Sequence, residues 1–456
     1  MQNSKVIGWS LVVALGGFLF GFDTAVISGA EKSIQEFWDL KAFEHGLTIS
    51  IALIGTIFGA LFGSIPSDRL GRKNTLFLVA VLYLLASLGT ALAQNWYLFL
   101  LFRFLGGIGV GASSVTAPVY ISEIAPAKKR GSLVALFQFN VVFGILISYF
   151  SNYLIGNSTE TSWRWMLGVQ AAPSLLFLIL VRLVPETPRW LLLRGKQPEA
   201  AKEILKIINP SGYENDFNKI SRSKDSINNK QVSSNLFESK YRFPVMLAIL
   251  FAVFNQVSGI NAIIYYAPRI FEMTGLGVQS SLLSTAGIGL VNFLFTLLAI
   301  KFIDRIGRRT LMLIGSLGLI LSLGIVSRAF FAEDFQSYSV ITGLLLFIAF
   351  FAFSQGAVIW VFISEIFPNQ VRAKGQTLGS VTHWIMAALI AFIFPVLAEK
   401  AGGGYTFAFF TLMMILQLLF VWKIMPETKG RSLEDIESSM ERSGSGENIE
   451  TTVILH

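Results

Sequence analysis

The chain has 456 residues, of which 53% are hydrophobic and only 14% charged, with 40 Phe, 40 Gly and no Cys. A soluble chain carries about a quarter charged residues, so this composition, with a mean hydropathy of +0.62, excludes a soluble enzyme and a disordered or nucleic-acid-binding chain, and identifies an integral membrane protein. No Cys means no disulfide, thiolate or zinc–thiolate chemistry, and three His (His45, His383 and His456) are too few for a His-based metal cluster, so neither metal nor cofactor is expected.

A membrane-crossing helix needs about 20 mainly apolar residues, and twelve such runs follow one another along the chain. Span 1 (7–29) carries Asp23 in the segment GFLFGFDTAVISGA, and its length and that charge argue against a signal peptide. Spans 2 (46–67) and 3 (75–93) are followed by span 4 (97–118), which holds Arg103, the only basic residue in the interior of any run. Span 4 also contains GGIGVG at 106–111. No strand precedes it, so small residues for close helix packing are a better reading than a nucleotide loop. Span 5 (132–152), with Gln138, and span 6 (166–184) complete the first set. Residues 185–243 break the apolar pattern. From Arg189 to Ile208 apolar residues recur at helical spacing, predicting short amphipathic helices, and the Ser/Asn/Lys-rich stretch 218–235 reads as a loose linker. The second set comprises spans 7 (244–268), 8 (279–301), 9 (310–331), 10 (340–362), 11 (375–397) and 12 (404–424). The predicted fold is an all-α membrane protein of twelve transmembrane helices in two six-helix halves, 1–184 and 244–437, with a cytoplasmic linker at 185–243 and a disordered cytoplasmic tail at 438–456.

Placement of the basic residues sets the orientation. With both termini cytoplasmic, 28 of the 36 Lys and Arg lie in cytoplasmic loops or tails and six (Lys32, Lys41, Arg164, Arg269, Arg328, Lys400) lie outside. The net charge of +8 is therefore a topological signal and not a mark of nucleic-acid binding. A multi-pass protein of the cell (inner or plasma) membrane is expected. Asn157-Ser158-Thr159 also fits a glycosylation acceptor on an outer loop, a pattern short enough to arise by chance.

The two halves repeat each other. Asp68-Arg69-Leu70-Gly71-Arg72-Lys73 recurs 236 residues later as Asp304-Arg305-Ile306-Gly307-Arg308-Arg309. Ser122-Glu123-Ile124-Ala125-Pro126 recurs as Ser364-Glu365-Ile366-Phe367-Pro368, with Arg130 and Arg372 seven residues after each Glu. Pro185-Glu186-Thr187 recurs as Pro426-Glu427-Thr428. Two parallel six-helix halves suit a transporter that rocks around a midplane site. These motifs, in this order, resemble the sugar porter family of the major facilitator superfamily across residues 7–437, nearest to bacterial sugar–proton symporters of the xylose transporter type. The resemblance implies that fold and sugar transport.

Asp23 and Arg103 are the charges that an apolar interior should not contain, and an ionisable group there is a functional hypothesis with a partner. Pairing favours the ionised carboxylate and burial disfavours it, so a change in geometry switches its proton affinity. A static pair fixing spans 1 and 4 is the alternative reading of the residues. By resemblance the two align with the Asp and Arg of proton-coupled sugar porters, where passive relatives carry Asn for the Asp.

A neutral sugar needs convergent amides and hydroxyls with an aromatic face. Span 7 reads FNQVSGINAIIYYAP, where Asn255, Gln256 and Asn261 are unusually polar and Gly259 weakens the helix. Gln138, Asn292 in span 8, Trp360 in span 10 and His383-Trp384 in span 11 are further candidates. Singly, such amides also serve as interhelical glue and Trp as packing. The resemblance places Gln138, Gln256, Asn261, Asn292 and Trp360 on sugar-binding positions, and Tyr265 and Tyr266 on a Tyr pair that closes the outer side. The chain departs from the family at Asn255 (usually Gln), at His383 (Gln or Asn) and at Ala357 (commonly Pro). These departures leave the sugar's identity open and bear on how span 10 bends.

Asp68, Arg69, Arg72, Glu123 and Arg130, with Asp304, Arg305, Arg308, Glu365 and Arg372, fall at cytoplasmic helix ends. They read either as a cytoplasmic gate of ion pairs, aided by Glu186 and Glu427, or as ordinary inside-positive topology. The function expected is import of a hexose or pentose with a proton by alternating access. The expected partners are the monosaccharide, the proton and the lipid bilayer, with no nucleic acid and no obligate protein partner. The alternatives are a passive uniporter with a structural Asp23–Arg103 pair and, in another class, a non-transporting sugar sensor.

Overall fold

A computed structural model describes residues 2–126, 129–156, 159–229, 235–335, 338–368 and 370–429. The predicted tail, 438–456, and Asn157 and Ser158 of the acceptor sequence lie outside the described residues. Among the described residues, twelve helices are long and apolar enough to cross a membrane, one on each predicted run. Spans 1 to 6 are Ser4–Phe37, Ala42–Phe62, Arg72–Leu92, Trp96–Ile124, Arg130–Ile155 and Ser162–Leu183; spans 7 to 12 are Ser239–Glu272, Val278–Ile306, Arg308–Phe331, Ser339–Glu365, Arg372–Lys400 and Gly402–Lys423. No strand occurs among the described residues. Exposed side chains such as Leu85, Leu154, Leu321 and Leu412 coat the outside of the bundle, as a lipid-facing surface requires.

Several spans outrun their apolar cores. Span 1 continues through Glu31, Lys32 and Gln35, because a helix whose backbone bonds are already satisfied does not end where hydropathy drops. Lys32 and Arg269, which sequence counting assigns to outer loops, consequently sit within helices.

Close packing joins spans 2 and 4. A side-chain carbon on Gly107 would overlap the Ala52 carbonyl, and one on Gly111 the Thr56 carbonyl, so the GGIGVG run acts as a backbone-contact seam. Span 1 packs on span 5 and span 4 within the first half, and span 9 on spans 12 and 10 within the second. Across the halves, span 2 meets span 11, span 5 meets span 8 and span 1 meets the second segment of span 7.

Span 6 is interrupted between Ser162–Gly168 and Ala171–Leu180, and spans 7 and 10 are broken more sharply. Span 7 comprises Arg242–Val257 and Ile260–Glu272, separated at Gly259, whose φ of 87° is a left-handed conformation that glycine adopts without strain. Span 10 comprises Ser339–Phe353 and Gln355–Glu365, with Ser354 at φ −117° and ψ −88°. The bend thus forms three residues before Ala357, without the proline common there.

Between spans 6 and 7 the chain forms Pro188–Leu193, Pro198–Ile208 and Tyr213–Asn229. Leu191, Ala201 and Ile204 bury the apolar face of the first two. The third corrects the loose-linker reading of 218–235 as far as Asn229. Glu214 and Asp216 in its first turn complement the helix dipole, a signal that polar composition masks. Residues 230–234 lie outside the described residues. This segment covers one end of the bundle, the linker face.

Candidate functional site

Asp23 lies mid-way along span 1 and is 4% exposed; Arg103 of span 4 is 3% exposed. The Arg103 Nη1 donates to Asp23 Oδ1 at 3.0 Å, so two buried charges compensate each other in an apolar interior. Tyr83 of span 3, fully buried, lies within electrostatic reach of Asp23, with the equally buried Ser113 of span 4 beside Tyr83. Neither is conspicuous in the sequence, because one hydroxyl in an apolar run raises no signal. Tyr265 of span 7 stands beside Thr24, the residue after Asp23, and lies within electrostatic reach of both charges. The ion pair of the first half therefore touches the second half through span 7.

Span 7 supplies the polar cluster. Gln256 Nε2 donates to Asn255 Oδ1 at 2.8 Å, and Asn261 Nδ2 donates to Gln256 Oε1 at 2.5 Å across the Gly259 break. Breaking the helix there lets side chains five residues apart converge. The same Gln256 amide stands 3.3 Å from both ring nitrogens of His383 in span 11. The His383 ring is 4.9 Å from that of Trp360 and 5.0 Å from that of Trp384, and Trp384 lies 5.8 Å from Phe20 of span 1. The result is a row of amides edged by two indoles, which matches the donors, acceptors and aromatic faces that a polyhydroxylated ring requires. Trp360 is 39% exposed, so its face is available. Gln138 and Asn292 are half-buried on spans 5 and 8, beside the Phe139–Phe293 ring contact at 5.4 Å, and no hydrogen bond joins them to this cluster among the described residues.

Tyr265 and Tyr266 are both buried on the second segment of span 7, toward the face opposite the linker. Tyr266 donates to the Ala391 carbonyl of span 11 at 2.9 Å, and Tyr149 of span 5 donates to the Ile264 carbonyl at 2.8 Å. That end of the bundle is closed.

On the linker face the repeated motifs build two copies of one network. Arg72 pairs with Asp68 at 3.0 Å and with Glu123 at 3.2 Å; Arg308 pairs with Asp304 at 3.0 Å and with Glu365 at 2.8 Å. Thr187 and Thr428 each donate to the second Glu oxygen at 2.6 Å. Glu186 and Glu427 accept from the first backbone N–H groups of spans 3 and 9 at 2.9–3.1 Å. Burial pushes the Glu186 carboxyl up, against the Thr187, Lys73 and Arg72 N–H groups and the Arg72 charge, which all favour its anion. The seven-residue Glu–Arg spacing does not form a pair. Arg130 instead donates to the Ser122 carbonyl at 3.1 Å and Arg372 to the Phe367 carbonyl at 3.2 Å, because each opens a new helix beyond a proline turn. Arg69 and Arg305 stand exposed. The ion pairs of Asp68, Glu123, Asp304 and Glu365 all stay within one half, so the networks do not close this face in the present conformation.

The sequence profile of the family described as Sugar (and other) transporter matches residues 9–439. The chain belongs to this family. Among relatives, it is 37% identical over 438 residues to the arabinose-proton symporter of Bacillus subtilis (strain 168), covering 95% of this chain and 94% of that protein. It is 34% identical over 478 residues to the D-xylose-proton symporter of Escherichia coli (strain K12), covering 96% of each. The inward open conformation of the xylose transporter XylE from E. coli superposes with a TM-score of 0.84 at 33% identity, covering 95% of this chain and 99% of that one. XylE bound to 6-bromo-6-deoxy-D-glucose gives 0.77 at 33% identity, covering 96% and 100%. Within this sugar transporter family the present chain thus resembles the inward open XylE more than the ligand-bound one, in keeping with inter-half contacts that shut the opposite face.

Proposed function

We propose that this chain imports a monosaccharide, a hexose or pentose, together with a proton by alternating access. Both termini would face the cytoplasm in a cell membrane, with the linker face inside. Asp23 carries the proton and Arg103 answers its charge. Asn255, Gln256, Asn261, His383, Trp360 and Trp384 receive the sugar, with Gln138 and Asn292 completing the site from spans 5 and 8. Tyr265 and Tyr266 form the outer gate. Asp68, Arg69, Arg72, Glu123 and Arg130, with Asp304, Arg305, Arg308, Glu365 and Arg372, belong to the cytoplasmic gate, which locks when the halves close on that side. The observation that carries the reading is the buried Asp23–Arg103 pair, which reaches, through Thr24 and Tyr265, the same helix that bears the amide cluster. Protonation that loosens this pair acts directly on the helix holding the sugar. The arabinose and xylose symporters to which the chain is similar support the same pairing of cargo and ion.

The test is uptake of a panel of labelled sugars into proteoliposomes with an imposed pH gradient, with and without a protonophore. At least one sugar is expected to accumulate above its outside concentration, and the protonophore to remove that excess. Equal uptake in both conditions would leave a passive uniporter.

His383 offers a narrower test. Its ring lies tilted against that of Trp360 and contacts Gln256, so it serves as a hydrogen-bonding substitute for an amide. His383→Gln is expected to shift the preference among sugars and leave the pH profile of uptake unchanged. A shifted profile would give this His a part in proton movement.

A further inference from the structure

A second set of buried charges lies at the face opposite the linker, away from the site above. Glu31 of span 1 is 1% exposed and takes Arg269 of span 7 on both oxygens, Nε to Oε1 at 2.9 Å and Nη2 to Oε2 at 2.8 Å. Arg269 Nη2 also donates to Gln35 Oε1 at 2.6 Å. From span 2, His45 Nε2 lies 2.7 Å from Glu31 Oε2, and its fully buried ring is 5.9 Å from that of Tyr266. Lys32 and Glu272 pair beside them at the rim. Both the Glu31–Arg269 and Lys32–Glu272 pairs join one half to the other, which none of the linker-face pairs described above does.

We infer that Glu31 and Arg269, braced by His45 and Gln35, form a latch that holds the two halves together at this face and parts each time the site opens there. The guanidinium holds Glu31 by one charge-assisted hydrogen bond from Nε and a short ion contact from Nη2, both short-ranged, so the pair does not stretch through intermediate openings. Separating the charges while the cleft is dry leaves each uncompensated, and separation becomes tolerable only once water fills the gap. The latch therefore disfavours half-open geometries and makes the movement two-state. His45 and Glu31 both belong to the first half, so when the latch parts the carboxylate keeps its imidazole neighbour and Arg269 departs with span 7. Arg269, 22% exposed, is the partner nearer to water and the side from which hydration enters. The inference rests on alternating access, and on nothing about the cargo.

The chain has no Cys, so a pair of reporter thiols can be placed without altering a native one. Tyr97→Cys at the start of span 4 and Tyr405→Cys at the start of span 12 are 76% and 68% exposed, at this face and in opposite halves. Nitroxide labels there, read by double electron–electron resonance without any sugar, report opening of this face directly. Glu31→Gln and Arg269→Gln are each expected to raise the ratio of wide to narrow distances at least tenfold. Their combination should add little more, because either change alone releases the same pair. Arg269→Lys, which keeps the charge but loses the fork, should fall between them and the parent. If Glu31→Gln does not yield monodisperse protein, Arg269→Gln decides alone. Distance distributions unchanged from the parent in a folded variant would overturn the latch. Because the labels sense the separation of the two halves at this face and not transport, the result holds whether or not a sugar proves to be the cargo.

Discussion

Asp23→Asn is expected to abolish accumulation of sugar against its gradient while sugar exchange across the membrane continues. The carboxylate is the one acidic group that pairs with Arg103 in the bundle interior, at 3.0 Å. An amide keeps the shape and an acceptor oxygen for Arg103 but cannot take up a proton. One pH unit is worth about 1.4 kcal/mol per proton, which allows roughly tenfold accumulation at one proton per sugar. The variant should stop at a ratio of about one by the same relation. Removing one partner of a buried pair outright costs about 3–5 kcal/mol, so Asn is preferable to Ala, and the thermal midpoint of the purified protein should be followed alongside. The measurement is uptake and counterflow in proteoliposomes under an inward-directed pH gradient. Retained accumulation would remove Asp23 from the coupling step and leave the pair a structural role.

Gln256→Ala should remove most sugar binding. Gln256 is 1% exposed and is the hub of the cluster, donating to Asn255, accepting from Asn261 and touching His383. Its loss removes both an acceptor and a donor and leaves Asn255 and Asn261 to turn toward each other. Two hydrogen bonds to sugar at about 1–1.5 kcal/mol each correspond to roughly 30- to 150-fold weaker binding. Calorimetric titration of the purified variant with the sugar chosen by uptake gives the number. Affinity within about threefold of the parent, less than 1 kcal/mol, would place the sugar elsewhere.

Much of the architecture is legible from residue order because a bilayer permits so few solutions. All twelve apolar runs become spans, since unsatisfied backbone is intolerable in lipid and helices are the only remedy for runs of this length. Asp23 and Arg103 stand out for the complementary reason: any charge in such a run is conspicuous, and here the two conspicuous charges are partners. Glu31, His45 and Arg269 escape notice because each sits near the end of an apolar run, where charges are ordinary. Their closeness depends on three helices folding together from positions 14 and 238 residues beyond Glu31. The pairing of Glu123 with Arg72, and not with Arg130, was hidden in the same way. Spacing along the chain points to a local partner, whereas the actual one comes from a different helix 51 residues away. Gly259 was visible as a weak point in span 7. Its effect, bringing Asn261 onto Gln256, appears only in three dimensions.

The clasp at the linker face has a consequence for how the protein is made. In the first half, Glu186 and Thr187 tie back to the start of span 3 and to Glu123, so this half can be completed once residue 187 of 456 has been synthesised. In the second half the equivalent ties come from Glu427 and Thr428, beyond its final span. During translation the first half can therefore lock while most of the chain is still to come, and the second stays unbuckled until its last turn leaves the ribosome. A nascent chain halted before residue 427 would hold one finished half and one still awaiting its own closure.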